Sequence, residues 1–142
     1  MSASREGEYK EMKILHTADW HIGLPKSPYK DGVNLRLQDT IDCLDELRRV
    51  AAKERPDYTL VSGDIFDTAE VRQARGHKEV LMAREAIMGL SKSSFQVIVM
   101  RGTPNHDSAE AFEELKAHFS LVRNVHIITM PQVLSFGDAN IA

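Results

Sequence analysis

The sequence has little cysteine, few aromatic residues and no long hydrophobic run. Its single cysteine, Cys43, excludes an internal disulfide and any cysteine-rich zinc site, which fits a reducing compartment. No run reaches the roughly 18 consecutive apolar residues of a membrane helix, and residues 1–12 are too polar and charged for a signal peptide. We therefore expect a soluble, cytoplasmic protein that has no membrane partner.

An excess of positive charge is also missing. The chain has 18 Lys and Arg against 21 Asp and Glu, so its formal net charge is -3. Any contact with nucleic acid must therefore depend on local basic patches or on metal ions. The 142 residues, of which 42% are hydrophobic, can form one domain with a genuine core, and they are too few for two. We expect a flexible leader over residues 1–11, which lack periodicity, and one domain over residues 12–142.

Short β-prone runs alternate with helical patterns along the chain. Strands are predicted at Met12–Thr17, Asp57–Ser62 and Phe95–Met100 because these runs are rich in Val, Ile, Leu, Tyr and Thr. This alternation is typical of an α/β layered fold with right-handed crossovers. Helices are predicted from about Leu37 to before Pro56, at His77–Leu90 and at Ser108–His118, the last with Ser108 as its cap. Further strands are predicted at Val125–Thr129, at Gln132–Ser135 and from Asp138 or Ala139.

Each of the first three predicted strands is followed by a polar segment. These segments are Asp19-Trp20-His21, Gly63–Asp67 and Gly102–Asp107. Loops that leave the carboxyl ends of strands form the ligand crevice of such sheets. The three segments are therefore expected to meet at one edge of the sheet, where carboxylate, imidazole and amide groups could hold a pair of divalent metal ions.

The first segment offers two metal ligands. Asp19 and His21 are two residues apart, so an extended backbone would project both side chains to the same side. A carboxylate together with a neutral imidazole suits manganese, iron or zinc better than calcium. By itself the segment would favour the plainer interpretation, a turn capped by Asp19 followed by a surface histidine.

The second segment offers a carboxylate that could bridge two ions. Gly63 allows the backbone to turn sharply, so that Asp64 can point into the crevice. An ordinary Gly-Asp turn is the alternative, and this makes the second segment the least specific of the three. Asp67 is interpreted as a supporting group or as a cap for the stretch of chain after it.

The third segment offers both a ligand and a proton donor. Asn105 has a neutral amide oxygen, and His106 could donate a proton to a leaving oxygen or stabilise charge on phosphorus. Asp107 is expected to orient the imidazole of His106. The alternative is a polar turn that ends at the cap of the third helix.

The order of these motifs resembles the calcineurin-like metallophosphoesterase superfamily, whose pattern is D-x-H, G-D-x-x-D and G-N-H-D. Within it, residues 12–23 (MKILHTADWHIG) and 61–67 (VSGDIFD) look most similar to the SbcD-like nuclease subunits of DNA double-strand-break repair. The resemblance implies an αββα sandwich, of which this chain supplies mainly the amino-terminal half. It covers roughly residues 12–142.

The resemblance also implies roles for individual residues. Asp19 and His21 would bind the first metal ion, Asp64 would bridge both ions, and Asn105 would bind the second. His106 would be the catalytic histidine that assists departure of the sugar oxygen after hydroxide attack on phosphorus. The implied cofactors are two divalent ions, most simply Mn²⁺. The implied partners are DNA, an SbcC-like ATPase subunit and a second copy of the chain, bound through the second and third helices, in the cytoplasm or at the nucleoid.

Two departures from the family pattern are evident. Thr103 and Pro104 separate Gly102 from Asn105, so the loop is expected to bulge. Nothing downstream matches the family's three further histidine ligands, which indicates an incomplete domain. A phosphatase, a cyclic-nucleotide phosphodiesterase and a non-catalytic assembly module are therefore kept as alternatives to the nuclease. Several basic residues could contact phosphate at the rim, although a solvated surface is the more ordinary interpretation of each; they are Lys26, Lys30, Arg36, Arg72, Arg75 and Lys78.

Overall fold

The structure is a computed structural model that describes residues 11–23, 29–69, 76–137 and 139–142. Most of the predicted leader therefore lies outside the described residues, as do Lys26, Arg72 and Arg75. The strands are β1 (Ile14–Thr17), β2 (Tyr29–Lys30), β3 (Val33–Asn34), β4 (Tyr58–Val61), β5 (Gln96–Met100), β6 (Val125–Ile128), β7 (Leu134–Phe136) and β8 (Ala139–Ile141), and the helices are α1 (Leu35–Glu54), α2 (Gly76–Ser91) and α3 (Ala109–Phe119).

The central sheet is parallel and has the order β1-β4-β5-β6. Its successive strands are joined through α1, α2 and α3. The sequence prediction of a layered α/β fold is thereby confirmed, and the parallel sheet with three helices is consistent with part of a metallophosphoesterase-type fold. Because strands β1, β4 and β5 are neighbours, the three polar segments that come after them start side by side.

The helices begin and end where local chemistry predicts. In α1, the Asn34 side chain accepts a hydrogen bond from the Leu37 N–H, and Arg55 ends the helix in a left-handed conformation. In α3, the predicted cap is confirmed, since the Ser108 side chain accepts from the Ala111 N–H at 3.1 Å. Within the described ranges, none of the helices is long and apolar enough to cross a membrane.

One face of the sheet forms the main core with the helices. The alternate residues of the strands that point to this face are buried together with apolar residues of all three helices. In α2, Val80, Ala83, Ile87 and Leu90 are buried, and Met82 packs against the same cluster. This apolar face of α2 therefore contributes to the chain's own core.

The opposite face of the sheet is covered in part by the β7–β8 hairpin. The Phe136 ring lies 5.7 Å from the Tyr58 ring and 5.1 Å from the His126 ring, measured between centroids. Tyr58 and Ile98 are buried there, whereas Ile14 on the edge strand β1 is 52% exposed. The sheet is thus covered by helices on one side and by a small antiparallel unit on the other.

Candidate metal centre

The first two polar segments are joined by backbone hydrogen bonds beyond the ends of β1 and β4. The Asp19 N–H donates to the Gly63 carbonyl at 3.0 Å, and the His21 N–H donates to the Asp64 carbonyl at 3.1 Å. The Ile22 N–H continues the series to Ile65 at 2.8 Å. The side chains of the two segments are therefore fixed relative to each other by the backbone.

Three predicted metal ligands meet at this junction. One ligand atom from each of Asp19, His21 and Asp64 lies within 4.8 Å of the others. His21 Nε2 is 3.6 Å from Asp19 Oδ1, and the Asp19 side chain is 69% exposed. Two carboxylates and an imidazole form a donor set that fits a divalent transition metal.

The backbone that brings these ligands together is left-handed and not extended. Asp19, His21 and Asp64 have φ angles of 56°, 46° and 51°. The expectation that an extended Asp19-x-His21 segment aligns the two side chains is therefore wrong. Non-glycine residues with positive φ are uncommon, and such strain concentrates at functional sites. The strained conformation, supported by the surrounding hydrogen bonds, directs the ligands.

The third segment contains a hydrogen-bonded turn that begins at Thr103. The Thr103 carbonyl accepts hydrogen bonds from the His106 N–H at 3.0 Å and the Asp107 N–H at 2.8 Å. Pro104 fits the start of this turn because its missing N–H would have no partner there. The extra Thr103 and Pro104 are thus accommodated in a closed turn, where the sequence had predicted a bulge.

Asp107 is the buried anchor of the site and does not orient His106. Its side chain is fully buried, and its carboxylate accepts four backbone hydrogen bonds. The donors are the N–H groups of Asp64 (2.9 Å), Ile65 (2.9 Å), Phe66 (3.2 Å) and Gly102 (2.7 Å). Burial raises the pKa of Asp107, against the effect of these four donors. The predicted role of Asp107 is wrong because its carboxylate faces the backbone of the second segment.

Asp64 is held by Thr103. The Thr103 N–H donates to Asp64 Oδ1 at 2.8 Å, and the Thr103 hydroxyl donates to the same oxygen at 3.0 Å. The backbone donor, above all, holds the pKa of the Asp64 carboxyl below its usual value of 3.8, and the Thr103 hydroxyl, His106 and His21 act in the same direction. Asp64 therefore stays ionised and ready to bind a cation.

His106 lies beside the ligand cluster. Its ring centroid is 4.6 Å from that of His21, edge to face. Its Nδ1 is 2.7 Å from the main-chain carbonyl oxygen of Asp67. Because a carbonyl can only accept, Nδ1 carries the proton and Nε2 is left for chemistry. Asp67, interpreted from the sequence as a supporting group or a cap, thus contacts the imidazole through its main-chain carbonyl.

Asn105 is exposed in the same turn. Its main-chain carbonyl accepts a hydrogen bond from the Ala69 N–H at 2.9 Å, which connects the third segment to the residues that follow the second segment. Binding of a metal ion by its amide oxygen remains a prediction. Thr103 was not identified as a site residue from the sequence, although the departure from G-N-H-D at this position was the available signal.

A cleft of about 560 Å³ opens beside Asp19, between β1 and α1. Apolar residues of α1 and the half-buried Trp20 line it, together with the charged residues Arg36, Asp39 and Glu46. Arg36 is exposed, and its guanidinium lies 4.0 Å from Asp67 Oδ1. Lys30 and Lys78 are also exposed.

The chain matches one protein family over nearly all of its length. The family model of the calcineurin-like phosphoesterases aligns with residues 12–137, which include all three polar segments.

Proposed function

The chain belongs to the calcineurin-like phosphoesterase family, and we propose that it hydrolyses phosphodiester bonds of DNA with two divalent ions, Mn²⁺ in the first instance. Membership of the family implies metal-dependent hydrolysis of phosphoesters. The observation that carries the proposal is the convergence of Asp19, His21 and Asp64 within 4.8 Å on a strained backbone beside His106.

The proposed ligand assignment is the one that the family resemblance implies, and the side-chain chemistry is compatible with it. Asp19 and His21 would hold the first ion, Asp64 would contribute to both ions, and Asn105 would hold the second. When bound, the ions would supply Lewis-acid activation of the phosphoryl group and of the attacking water. The ionised state of Asp64, supported by the Thr103 N–H, matches the need for charge at a bridging position.

His106 is proposed to give a proton to the departing sugar oxygen. The Asp67 carbonyl accepts the hydrogen of Nδ1 and thereby fixes the ring orientation. In the protonated imidazole, Nε2 then holds the proton that is transferred. The edge-to-face contact with His21 keeps the ring beside the ligand cluster.

DNA is proposed as the substrate on the SbcD-like sequence resemblance, and the site adjoins, through Asp19, a cleft with room for a small ligand. Its volume of about 560 Å³ lies in the range of small-ligand pockets, roughly 300–1,000 Å³. The similarity of residues 12–23 and 61–67 to SbcD-like sequences adds support for a role in processing double-strand breaks. An exposed Arg36 at this cleft offers a contact for a neighbouring phosphate.

The proposal is tested with linear duplex DNA, single-stranded DNA and bis-p-nitrophenyl phosphate, each incubated with the purified chain and Mn²⁺. His106→Asn should lower kcat by about 10²–10⁴-fold while Mn²⁺ binding persists, and Asp64→Asn should abolish both. The matched controls are His118→Asn and Glu113→Gln, which change exposed side chains of α3. Unchanged activity in His106→Asn and Asp64→Asn would overturn the proposal.

The choice of substrate separates the nuclease from its alternatives. Turnover of the small phosphoester without DNA cleavage would select a phosphatase or a phosphodiesterase of small substrates. A wild-type chain that binds no Mn²⁺ by calorimetry would instead indicate a non-catalytic assembly module. Tight binding of two ions per chain would contradict that module.

The resemblance to SbcD-like subunits extends the proposal to partners. We propose an SbcC-like ATPase subunit and a homodimer formed through α2 and α3. Leu81 of α2 and Leu121 after α3 are 45% and 93% exposed, which leaves apolar side chains for a second copy. The mass of the chain by light scattering tests the dimer, and Leu81→Asp should dissociate it if α2 forms the interface.

A further inference from the structure

Thr103 makes a contact with the metal centre that the family pattern does not contain. It directly follows Gly102, where the G-N-H-D pattern has its asparagine. Its N–H and its hydroxyl both donate to Asp64 Oδ1, at 2.8 and 3.0 Å. The side chain of the inserted residue therefore contacts the carboxylate proposed to bridge the two ions.

Two donors on one oxygen distinguish the two oxygens of Asp64. A carboxylate oxygen has two lone-pair positions, and Thr103 supplies a donor for both positions of Oδ1. Both hydrogen bonds that the described residues donate to this carboxylate are therefore accepted by Oδ1. Oδ2 is then the oxygen with lone pairs to spare for cations.

We propose that Thr103 is a positioning residue that fixes the Asp64 carboxylate in one orientation and presents Oδ2 to the metal ions. The inference rests on the proposed metal-dependent function of the same site. It adds to that function a hydroxyl that orients a ligand without binding the ion itself. Partners of this kind hold a ligand in its binding geometry, and their loss weakens metal affinity by about 10–100-fold.

The turn that starts at Thr103 explains why the hydroxyl is well placed. The Thr103 carbonyl is fixed by the N–H groups of His106 and Asp107, and the adjacent Pro104 restricts the Thr103 backbone. Asp107 in turn holds the Asp64 N–H. Donor and acceptor are therefore both attached to the same buried anchor, so little conformational freedom is lost when the hydroxyl bonds.

The test compares Thr103→Val with Thr103→Ser by calorimetric titration of the full chain with Mn²⁺. Valine removes the hydroxyl while it keeps the branched shape and the backbone donor, whereas serine keeps the hydroxyl. Thr103→Val should bind Mn²⁺ at least about 10-fold more weakly than wild type, with an unchanged unfolding midpoint, and Thr103→Ser should bind close to wild type. Thr68→Val, at an exposed threonine after the second segment, is the matched control and should bind as wild type.

Two results would overturn the inference alone. One is Mn²⁺ binding by Thr103→Val that equals wild type. The other is equal weakening in the valine and serine variants, because shape and not the hydroxyl would then matter. A wild-type chain without any Mn²⁺ binding would instead overturn the proposed function on which the inference rests.

A second readout needs no metal. Amide hydrogen exchange of Thr103 should be slow in the wild-type chain and much faster in Asp64→Ala, because the N–H loses its acceptor. Equal exchange rates in the two proteins would show that Thr103 does not hold Asp64, whatever the outcome of the titrations.

Discussion

The carboxylate of Asp107 accepts a hydrogen bond from the backbone N–H of Asp64 at 2.9 Å. One aspartate, fully buried, thus holds the backbone of another whose side chain faces the metal centre. Three further N–H groups, from Ile65, Phe66 and Gly102, donate to the same carboxylate. The second and third polar segments are therefore tied together beneath the ligands, at the level of the backbone.

Removal of this anchor should destabilise the whole domain. In Asp107→Ala, four backbone N–H groups lose their acceptor, two of them in the fully buried residues Ile65 and Phe66. Each unsatisfied buried donor costs about 1–3 kcal/mol, so these two alone should lower the free energy of unfolding by at least about 2 kcal/mol. Urea unfolding monitored by circular dichroism measures it.

The anchor prediction has a graded comparison. Asp107→Asn keeps one acceptor oxygen but turns an amide group toward the remaining donors. Its free energy of unfolding should therefore lie between those of wild type and Asp107→Ala. Glu113→Gln makes the same change of carboxylate to amide at an exposed position of α3 and should leave the unfolding midpoint unchanged. A wild-type midpoint for Asp107→Ala would contradict the role of the anchor.

Gly102→Ala should disrupt the metal centre. A Cβ at this position would collide with the backbone nitrogen and Oδ1 of Asp64 and would lie 2.9 Å from Asp107 Oδ2. Because backbone cannot move aside cheaply, the second and third segments must separate, and Mn²⁺ binding should fall by more than about 10-fold. Calorimetric titration measures the change.

Gly89→Ala provides the control for the glycine prediction. The three atoms nearest to its added Cβ all belong to the flexible side chain of Arg48, which would have to shift, and alanine favours the helix α2. This variant should bind Mn²⁺ as wild type and should be at least as stable. Equal Mn²⁺ affinities for the Gly102 and Gly89 variants would refute the prediction.

Stability should fall as the pH drops below about 6.5, in part because of His126. Burial lowers the pKa of this histidine from its ordinary value of 6.5, and its Nε2 lies 2.8 Å from Gln96 Oε1. Between the lowered pKa and pH 6.5, the unfolded chain binds a proton that the folded chain does not. The contribution of the neutral histidine to stability is therefore complete above pH 6.5 and is lost as the pH falls from 6.5 through the lowered pKa.

Urea unfolding of wild type and His126→Gln between pH 5 and 8 measures this contribution. The free energy of unfolding should depend less steeply on pH in the variant than in wild type. Some dependence should remain because burial, together with Arg84, also lowers the pKa of His118. Identical pH profiles in the two proteins would show that His126 contributes nothing to it.

Ser108→Ala should weaken the start of α3. The variant leaves the Ala111 N–H without the hydroxyl that accepts its hydrogen bond at 3.1 Å. The expected loss is about 1 kcal/mol in the free energy of unfolding, measured in urea. Ser108→Asp restores an acceptor and should recover much of the stability. Equal stability of wild type and Ser108→Ala would contradict the capping role.

The elements of this fold were predictable because their signals are local. Alternating β-prone runs and helical periodicity placed β1, β4 and β5 and the helices within a few residues, and Ser108 was recognised as a cap from its position. The short pair β2 and β3 was not predicted, since two-residue strands carry no periodicity. The meeting of Asp19, His21 and Asp64 was predictable because parallel strands bring their carboxyl ends to one edge.

By itself, the sequence determined the layered α/β architecture, the order of the three polar segments and the residue types able to bind metal. Only the tertiary structure decided the left-handed backbone of the ligands, the burial of Asp107 and the two bonds from Thr103 to Asp64. The physical reason is that these features depend on contacts between residues about 40 positions apart, such as Asp107 with Asp64 and Ile65. Periodicity and spacing report on neighbours in the chain, whereas a carboxylate turns toward whichever donors the folded backbone brings to it.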